Sequence, residues 1–241
     1  MAQLSGKVAV VTGGNSGIGK GIARAFAAEG CDLAICGRNV ERLSAAAAEL
    51  RAAGREVLDK PADVSNESDV DALFDAVMKK FGRVDILVNN AGNFDGGRID
   101  RISLEAWNNV IGACLTGAFL CSRAAFAIMK DQGGGRILNI GSISAQRPRE
   151  HHTPYAAAKF GVWGLTQATA LDGRPFGILC SCLHPGNVRV ERTLGNRSEE
   201  EPMMDVETIA RAALAMVALP PDVNFLEAIV LPKDQPYLGR G

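Results

Sequence analysis

Residues 8–19 read VAVVTGGNSGIG, an apolar run that continues directly into a cluster of glycines. Lys7–Thr12 is rich in β-branched residues and stops at Gly13, which predicts a buried strand. Ile18–Glu29 carries apolar residues at helical spacing, which predicts a helix. Glycines between a strand and a helix let the backbone approach a pyrophosphate, whose charge then meets the N–H groups of the helix N-terminus. The stretch therefore predicts a dinucleotide-binding loop.

The alternation of strand and helix continues along the chain. Further strands are predicted at 33–36, 56–62, 84–88, 136–140, 177–183 and 226–231, and further helices at 40–53, from Ser65 as N-cap, and at 105–130, 154–171 and 206–219. Strands separated by such helices need crossover connections, and so form a parallel sheet that is covered on both faces. We predict one α/β domain over 1–241, a doubly wound parallel sheet of about seven strands with helices on both faces.

Composition and charge exclude several classes of protein. The 26 Lys and Arg balance 27 Asp and Glu, which argues against a dedicated nucleic-acid-binding protein. A hydrophobic fraction of 47% argues against disorder. The longest apolar run, Val110–Cys121, falls short of the ~18 residues of a membrane span, and the first residues lack the features of a signal peptide. We expect a soluble cytoplasmic protein that binds neither nucleic acid nor membrane.

The six cysteines lie in predicted strands and helices, without C-x-x-C spacing and without histidines at zinc-site distances. We expect buried, reduced thiols and no metal site.

The end of the second strand should select the cofactor. An acidic residue there would bind the ribose hydroxyls of NAD, whereas an arginine would accept the 2′-phosphate of NADP. This chain has Gly37-Arg38, with no carboxylate to repel a phosphate. We predict NADP(H), and NAD stays an alternative because Ser16 supplies no second cation and Arg38 could simply be solvated.

Three side chains could perform proton transfer. Tyr155 and Lys159 are four residues apart in a predicted helix, and so project from one face. A nearby ammonium favours a phenolate, the form that exchanges protons. Ser142 follows a predicted strand and lies at the carboxyl edge of the sheet, where open α/β folds bind ligands. Taken singly, a Y-x-x-x-K pattern is often coincidental, and a serine there is often only a turn residue.

The motifs gain weight when they are taken together. Their order along the chain is Thr12-Gly13-x-x-x-Gly17-x-Gly19, Asn89-Asn90-Ala91-Gly92, Ser142, Tyr155-x-x-x-Lys159 and Pro185-Gly186. This combination resembles the short-chain dehydrogenase/reductase family. The resemblance implies a three-layer Rossmann fold and hydride transfer between a nicotinamide cofactor and a carbonyl/alcohol pair. It makes Ser142, Tyr155 and Lys159 catalytic, with Tyr155 as general acid/base.

The same resemblance implies a set of cofactor-binding residues. It places Asp63-Val64 at the adenine, Asn90 near the ribose and Pro185–Val188 along the nicotinamide. The implied residues are Gly13, Asn15, Ser16, Gly17, Ile18, Gly19, Arg38, Asp63, Val64, Asn90, Ala91, Gly92, Tyr155, Lys159, Pro185, Gly186 and Val188.

The sequence departs from the family pattern at three places. Cys114 occupies the position of an asparagine that supports a water-linked proton relay to the lysine, which indicates either a packed residue in an enzyme that relays through water alone or reduced activity. Val190 replaces a threonine. The C-terminal segment Leu219–Pro232 lacks the usual D-G-G tail and is similar to the 3-hydroxy acid dehydrogenase branch.

The loops that should contact substrate are 93–98, 145–153 and 189–204, and a lid is predicted at about 187–205. Arg147, Arg149, His151 and His152 make the second loop basic, which suits a polar or anionic substrate unless the side chains are merely solvated.

Three functions stay open. The leading one is an NAD(P)(H)-dependent oxidoreductase acting on a small-molecule carbonyl or alcohol. The alternatives are a catalytically weak NADP(H)-binding sensor or interaction protein, and a 3-oxoacyl carrier-protein reductase. Apolar residues on the helices at 106–130 and 154–171 predict a homodimer or homotetramer.

Overall fold

The structure is a computed structural model that describes residues 2–191 and 201–237. Within these residues, seven strands form one parallel sheet in the order β3-β2-β1-β4-β5-β6-β7. The strands are β1 Val8–Thr12, β2 Asp32–Gly37, β3 Val57–Pro61, β4 Ile86–Asn89, β5 Gly135–Ile140, β6 Ile178–Pro185 and β7 Glu227–Val230. The predicted sheet is confirmed, and the extent of the single domain over 1–241 stays a prediction.

Helices connect the strands and cover both faces of the sheet, as predicted. They are α1 Gly17–Ala28, α2 Val40–Ala52, α3 Glu67–Phe81, α4 Leu104–Ile111, α5 Gly117–Asp131, α6 Thr153–Gly173 and α7 Val206–Val217. Helices α1, α2 and α7 pack on one face, whereas α3, α5 and α6 pack on the other. The arrangement is the three-layer α/β fold that the sequence resemblance implies.

The first strand shows why its sequence is apolar at every position. Ala9 and Val11 pack into the cluster that contains Phe26 of α1, while Val8 and Val10 pack into the cluster that contains Leu73 of α3. A parallel strand covered on both faces has no solvated side, so an alternating polar pattern would leave polar groups in the core.

The order of the strands creates the crevice in which a ligand can bind. After β1 the chain crosses to β2 on one side, and after β4 it crosses to β5 on the other. In open α/β sheets, ligands bind outside the carboxyl ends of the strands at such a point of reversal. The glycine-rich loop after β1 and the segment 89–92 after β4 border this crevice.

Two local predictions were wrong. The helix predicted over 105–130 is interrupted by a π-helical turn, Gly112–Thr116, where Gly117 N–H bonds to Gly112 O. A Cβ at Gly117 would lie 2.5 Å from Val64 Cγ2, so the glycine permits close approach to the neighbouring loop. Ser65 is not the N-cap of α3, because Asn66 accepts the capping bond from Ser68 N–H.

The helical stretch Leu104–Asp131 is long and apolar enough to cross a membrane by length and composition alone. The mean hydropathy of its most apolar 18 residues is 1.6. Of these 18 residues, 39% are buried inside the protein. Its α5 part packs against α3 and the sheet, as a core helix does, and such a helix is weak support for a span.

Candidate active site

The glycine-rich loop turns sharply between β1 and α1. Gly13 and Gly17 have φ angles of +63° and +49°, in the left-handed region that side chains rarely adopt. Ser16 is the N-cap of α1, and within the described chain it makes no side-chain capping bond. The first turn of α1 also carries no acidic residue. The positive end of the helix therefore faces the crevice with no acidic side chain in its own first turn, which suits a diphosphate.

Thr12 and Asn90 hold this loop against the end of β4. The Thr12 hydroxyl accepts from the N–H groups of Asn90 and Ala91, both at 3.0 Å. The Asn90 amide donates to the carbonyls of Thr12 at 2.9 Å and Gly13 at 3.3 Å. The structure thus assigns the Asn90 amide to the loop backbone, in addition to the position near a ribose that the resemblance implies.

Close packing explains two other glycines of the site. A Cβ at Gly19 would lie 2.3 Å from Asn90 Nδ2 and 2.4 Å from Gly13 O. A Cβ at Gly37 would lie 2.8 Å from the side chain of Asn15. Gly19 requires glycine because a backbone oxygen occupies the space where a side chain would stand, whereas a side chain at Gly37 would displace the side chain of Asn15.

Arg38 directly follows β2 at the carboxyl edge of the sheet, with 70% of its side chain exposed. Its Nη1 is 3.7 Å from Asp63 Oδ2. Burial acts to raise the pKa of Asp63, but hydrogen bonds from the Ser65 hydroxyl and N–H and the charge of Arg38 lower it overall. Asp63 is therefore a carboxylate at neutral pH and orients an arginine that remains open to solvent.

Ser142, Tyr155 and Lys159 come from two elements that meet at the carboxyl end of β5. Ser142 follows β5 and caps a short 3₁₀ turn, Ile143–Ala145, by accepting from Ser144 N–H at 3.1 Å. Tyr155 and Lys159 lie on α6, and Lys159 Nζ is 5.5 Å from the centre of the Tyr155 ring. Only 5% of Lys159 is exposed, and its ammonium donates to Ile140 O at 2.7 Å. One lysine therefore fixes α6, which carries Tyr155, to the strand that leads to Ser142.

Cys114 lies in the π-helical turn with 3% of its surface exposed. Its thiol donates to Asn93 O at 3.2 Å, and it packs in a small cluster with Val110, Ala158 and Tyr155. The side chain is thus a packed helix residue whose polar atom bonds to the segment after Gly92. Whether the enzyme relays protons through water alone or has reduced activity stays a prediction.

The segment after β6 is held by the C-terminal part of the chain. Gly186 N–H bonds to Val230 O at 2.8 Å, and Asn187 N–H bonds to Gln235 Oε1 at 2.8 Å. Val188 forms an isolated parallel bridge with Met204. Pro185, Gly186 and Val188 therefore lie on a backbone tied at several points, and only residues 192–200 of the predicted lid lie outside the described part.

Arg149 does not leave a free positive charge for an anionic substrate, as the basic loop sequence had suggested. Its guanidinium binds the Glu201 carboxylate through two hydrogen bonds, at 2.9 and 2.6 Å, and also contacts Asn187 Oδ1 at 3.3 Å. The sequence gives no signal for this pair, whose members are more than fifty residues apart. Because Glu201 neutralises Arg149, an anionic substrate gains little from this residue.

A cavity of about 620 Å³ adjoins Tyr155. Its lining residues are Phe94, Asp95, Gly96, Gly97, Arg98, His151 and His152. The Phe94 ring contacts the rings of both Tyr155 and His152 edge-on, with centroids 5.3 and 4.7 Å apart. Burial, together with Arg149 and His151, lowers the pKa of His152, so the His152 ring is uncharged at neutral pH. The cavity combines aromatic rings with a few polar groups, as small-molecule sites do.

Comparisons with known proteins agree with this geometry. A family model described as short chain dehydrogenase matches residues 7–201. The 3-oxoacyl-[acyl-carrier-protein] reductase of Synechocystis sp. is 37% identical over 215 residues, which cover 88% of this chain and 85% of that protein.

Two solved structures show the same fold. An alcohol dehydrogenase from the archaeon Thermococcus sibiricus, complexed with 5-hydroxy-NADP, superposes with a TM-score of 0.86 and 30% identity over 95% of this chain and 97% of that one. A short-chain type dehydrogenase/reductase from Mycobacterium ulcerans superposes with a TM-score of 0.89 and 27% identity over 95% and 90% of the two chains.

The packing of the glycine-rich loop yields a first prediction. Gly19→Ala should weaken NADPH binding by about 5- to 150-fold, because overpacking of this kind costs about 1–3 kcal/mol and displaces Asn90 or Gly13. Fluorescence titration of NADPH measures the change. Gly164→Ala in α6 is the control, since its Cβ meets nothing within 4 Å, and it should bind NADPH like the wild type. Wild-type affinity for NADPH in Gly19→Ala would contradict the prediction that the glycine-rich loop binds the dinucleotide.

Proposed function

The chain belongs to the short-chain dehydrogenase family and is an oxidoreductase, and from this premise we propose an NADP(H)-dependent reaction on a small-molecule carbonyl or alcohol. The observation that carries the proposal is the buried Lys159 ammonium, which lies beside the Tyr155 ring and bonds to Ile140 O, two residues before Ser142. Burial of a charge is costly, and this ammonium is held beside the Tyr155 ring, whose deprotonated form it would stabilise.

The residues present fit a dinucleotide. The loop Gly13–Gly19 leaves room where a Cβ would clash, and the N-terminus of α1 offers N–H groups to a diphosphate. Arg38 is exposed beside Asp63, and Pro185, Gly186 and Val188 line the far end of the crevice. When bound, NADPH would supply the hydride that reduces the substrate carbonyl.

The chain's own residues handle the substrate oxygen. The Ser142 hydroxyl accepts from Ser144 N–H, so its own proton is left to donate to that oxygen and polarise the carbonyl. Tyr155 would donate its hydroxyl proton to that oxygen, and the charge of Lys159 would favour the phenolate left behind. In the reverse direction the phenolate takes the proton of the alcohol.

Replacement of Tyr155 tests this assignment. Tyr155→Phe should lower turnover by about 10²–10⁴-fold, because the proton donor is lost, while NADPH binds within about threefold of the wild type. NADPH absorbance reports turnover on a panel of aldehydes, ketones and 3-oxoacyl thioesters. Wild-type turnover in the variant would refute the assignment.

The same panel separates the other two functions. The 37% identity to a 3-oxoacyl-[acyl-carrier-protein] reductase favours the carrier-protein reductase as a second candidate. Turnover of a carrier-bound thioester but not of its free analogue would identify that activity. Tight NADPH binding without turnover on any substrate would indicate the sensor. The similarity of the C-terminal segment to the 3-hydroxy acid dehydrogenase branch stays a prediction.

The proposed preference for NADP over NAD rests on Arg38. Arg38→Ala should raise the Kd for NADPH about 10–100-fold, because hydrogen bonds from a guanidinium to a charged phosphate are worth about 1.5–3 kcal/mol each. Affinity for NADH should change less than about threefold. Arg24→Ala is the control, since Arg24 pairs with Glu49 on the outer side of α1. Equal losses for both cofactors would refute the preference.

Cys114 yields a separate prediction. Cys114→Asn should keep the fold and should not lower kcat, because an amide can donate to Asn93 O as the thiol does. Cys114→Ala separates the effect of the amide from loss of the thiol. A large decrease of kcat in both variants would show that the thiol has its own role in the reaction.

Exposed apolar side chains support a homodimer or homotetramer through α4, α5 and α6. Leu104 is 73% exposed, Phe119 45% and Phe160 48%. A cluster of this kind on helices that face outward is typical of a subunit interface. All six cysteines are buried free thiols, as expected, which supports a cytoplasmic location.

A further inference from the structure

A buried histidine that the proposed mechanism does not use lies directly against Ser142. His184, the residue before Pro185 in β6, is 0% exposed, and its ring contacts Trp163 of α6 edge-on at 5.7 Å. Its Nδ1 is 3.3 Å from Ser142 N and 3.0 Å from Ser142 O. No other side chain among the described residues bonds to both backbone groups of Ser142.

The other ring nitrogen points toward β7. His184 Nε2 is buried and makes no hydrogen bond within the described residues, and Glu227 Oε1 lies 3.4 Å away. The Gln146 amide donates to the same Glu227 oxygen at 2.6 Å, and the Tyr237 hydroxyl donates to Gln146 Oε1. The donors of this group therefore all point in one direction, toward the Glu227 carboxylate.

The surroundings leave His184 uncharged. Burial lowers its pKa and outweighs the hydrogen bond to Ser142 and the charge of Glu227, which raise the pKa, while the Lys159 ammonium adds a small lowering effect. A neutral imidazole carries one N–H, on either nitrogen. The environment of the two nitrogens decides which tautomer forms.

The two tautomers differ in what they leave unpaired. With the proton on Nδ1, the ring would donate to Ser142 O, which already accepts from Ala145 N–H at 2.9 Å. Ser142 N–H would then lose its acceptor, and the lone pair of Nε2 would face a carboxylate. With the proton on Nε2, Nδ1 accepts from Ser142 N–H and the Nε2–H faces Glu227. The second tautomer gives the buried Ser142 N–H its acceptor and turns the Nε2–H toward a carboxylate oxygen 3.4 Å away, whereas a buried N–H left without an acceptor is costly.

We propose that Glu227 holds His184 in the Nε2-protonated tautomer, so that Nδ1 accepts from Ser142 N–H and fixes the serine that polarises the substrate. His184 and Glu227 are positioning residues that act through Ser142, and their kinetic effect rests on the function proposed above. The tautomer itself does not depend on that function.

Nitrogen NMR of histidine-labelled protein tests the tautomer directly. The chain has three histidines, and His151→Asn and His152→Asn assign the signals of the other two. In the wild type, the Nδ1 of His184 should show the shift of an unprotonated ring nitrogen. Glu227→Ala should move the signals toward the Nδ1-protonated form, and Glu227→Gln should retain the wild-type pattern because its amide oxygen still accepts. An Nδ1-protonated His184 in the wild type would overturn the proposal.

Kinetics with the same variants test the consequence. Glu227→Ala should lower kcat about tenfold, with the KM for NADPH within about twofold, and Glu227→Gln should restore most of the loss. Glu56→Ala is the control. This variant loses an ion pair with Lys80 at the opposite end of the sheet and should have an unchanged kcat. An active wild type with an unaltered kcat in Glu227→Ala would refute the positioning role. An inactive wild type would refute the proposed function and leave the tautomer to the NMR experiment.

Discussion

The hydrogen bond from the buried Lys159 ammonium to the Ile140 carbonyl is the constraint on which the candidate active site depends. Burial of an ammonium is tolerated only where acceptors meet it, and here a backbone carbonyl at the end of β5 does so at 2.7 Å. The bond holds α6 against that strand end, and with it Tyr155. If α6 were shifted by one turn, the Lys159 ammonium would lose its bond to the Ile140 carbonyl. The cost of burying this ammonium therefore fixes the position of Tyr155 relative to Ser142.

The same logic recurs at the neighbouring strand ends. The Thr12 hydroxyl and the Asn90 amide bond to backbone groups between β1 and β4, and the Asn89 amide bonds to Asn139 Oδ1 at 2.8 Å between β4 and β5. The Asn139 amide in turn donates to Thr166 of α6 at 2.9 Å. Polar side chains thus replace apolar packing where the strands approach the crevice. They fix the loops there more specifically than packing does, since each bond requires one donor and one acceptor.

Sequence patterns predicted the strands and helices but not the side-chain contacts between them, and the reasons are physical. Apolar spacing and the glycines after β1 reflect local backbone geometry. Short stretches of sequence were therefore enough to predict the strands, most helix bounds and the glycine-rich turn. The pairs Arg149–Glu201 and His184–Glu227 join residues more than forty positions apart, and no local pattern marks them. The close approach of Val64 to Gly117, the residue after the π-helical turn, is also a tertiary contact. Asn66 rather than Ser65 caps α3 by accepting from Ser68 N–H, while the Ser65 hydroxyl donates to Asp63 in the preceding loop.

The C-terminal segment, where the sequence departs most from its family, is in contact with the crevice. Gln235 accepts from Asn187 N–H, and a Cβ at Gly186 would lie 2.2 Å from its Oε1. Glu227 faces His184, and Tyr237 bonds to Gln146 beyond the 3₁₀ turn. Because β7 is the last strand of the sheet, its residues can change without disturbing the order of the other six. Variation there reaches Ser142 and the segment 185–188 through hydrogen bonds, so this edge can alter the geometry of the site while the fold stays the same.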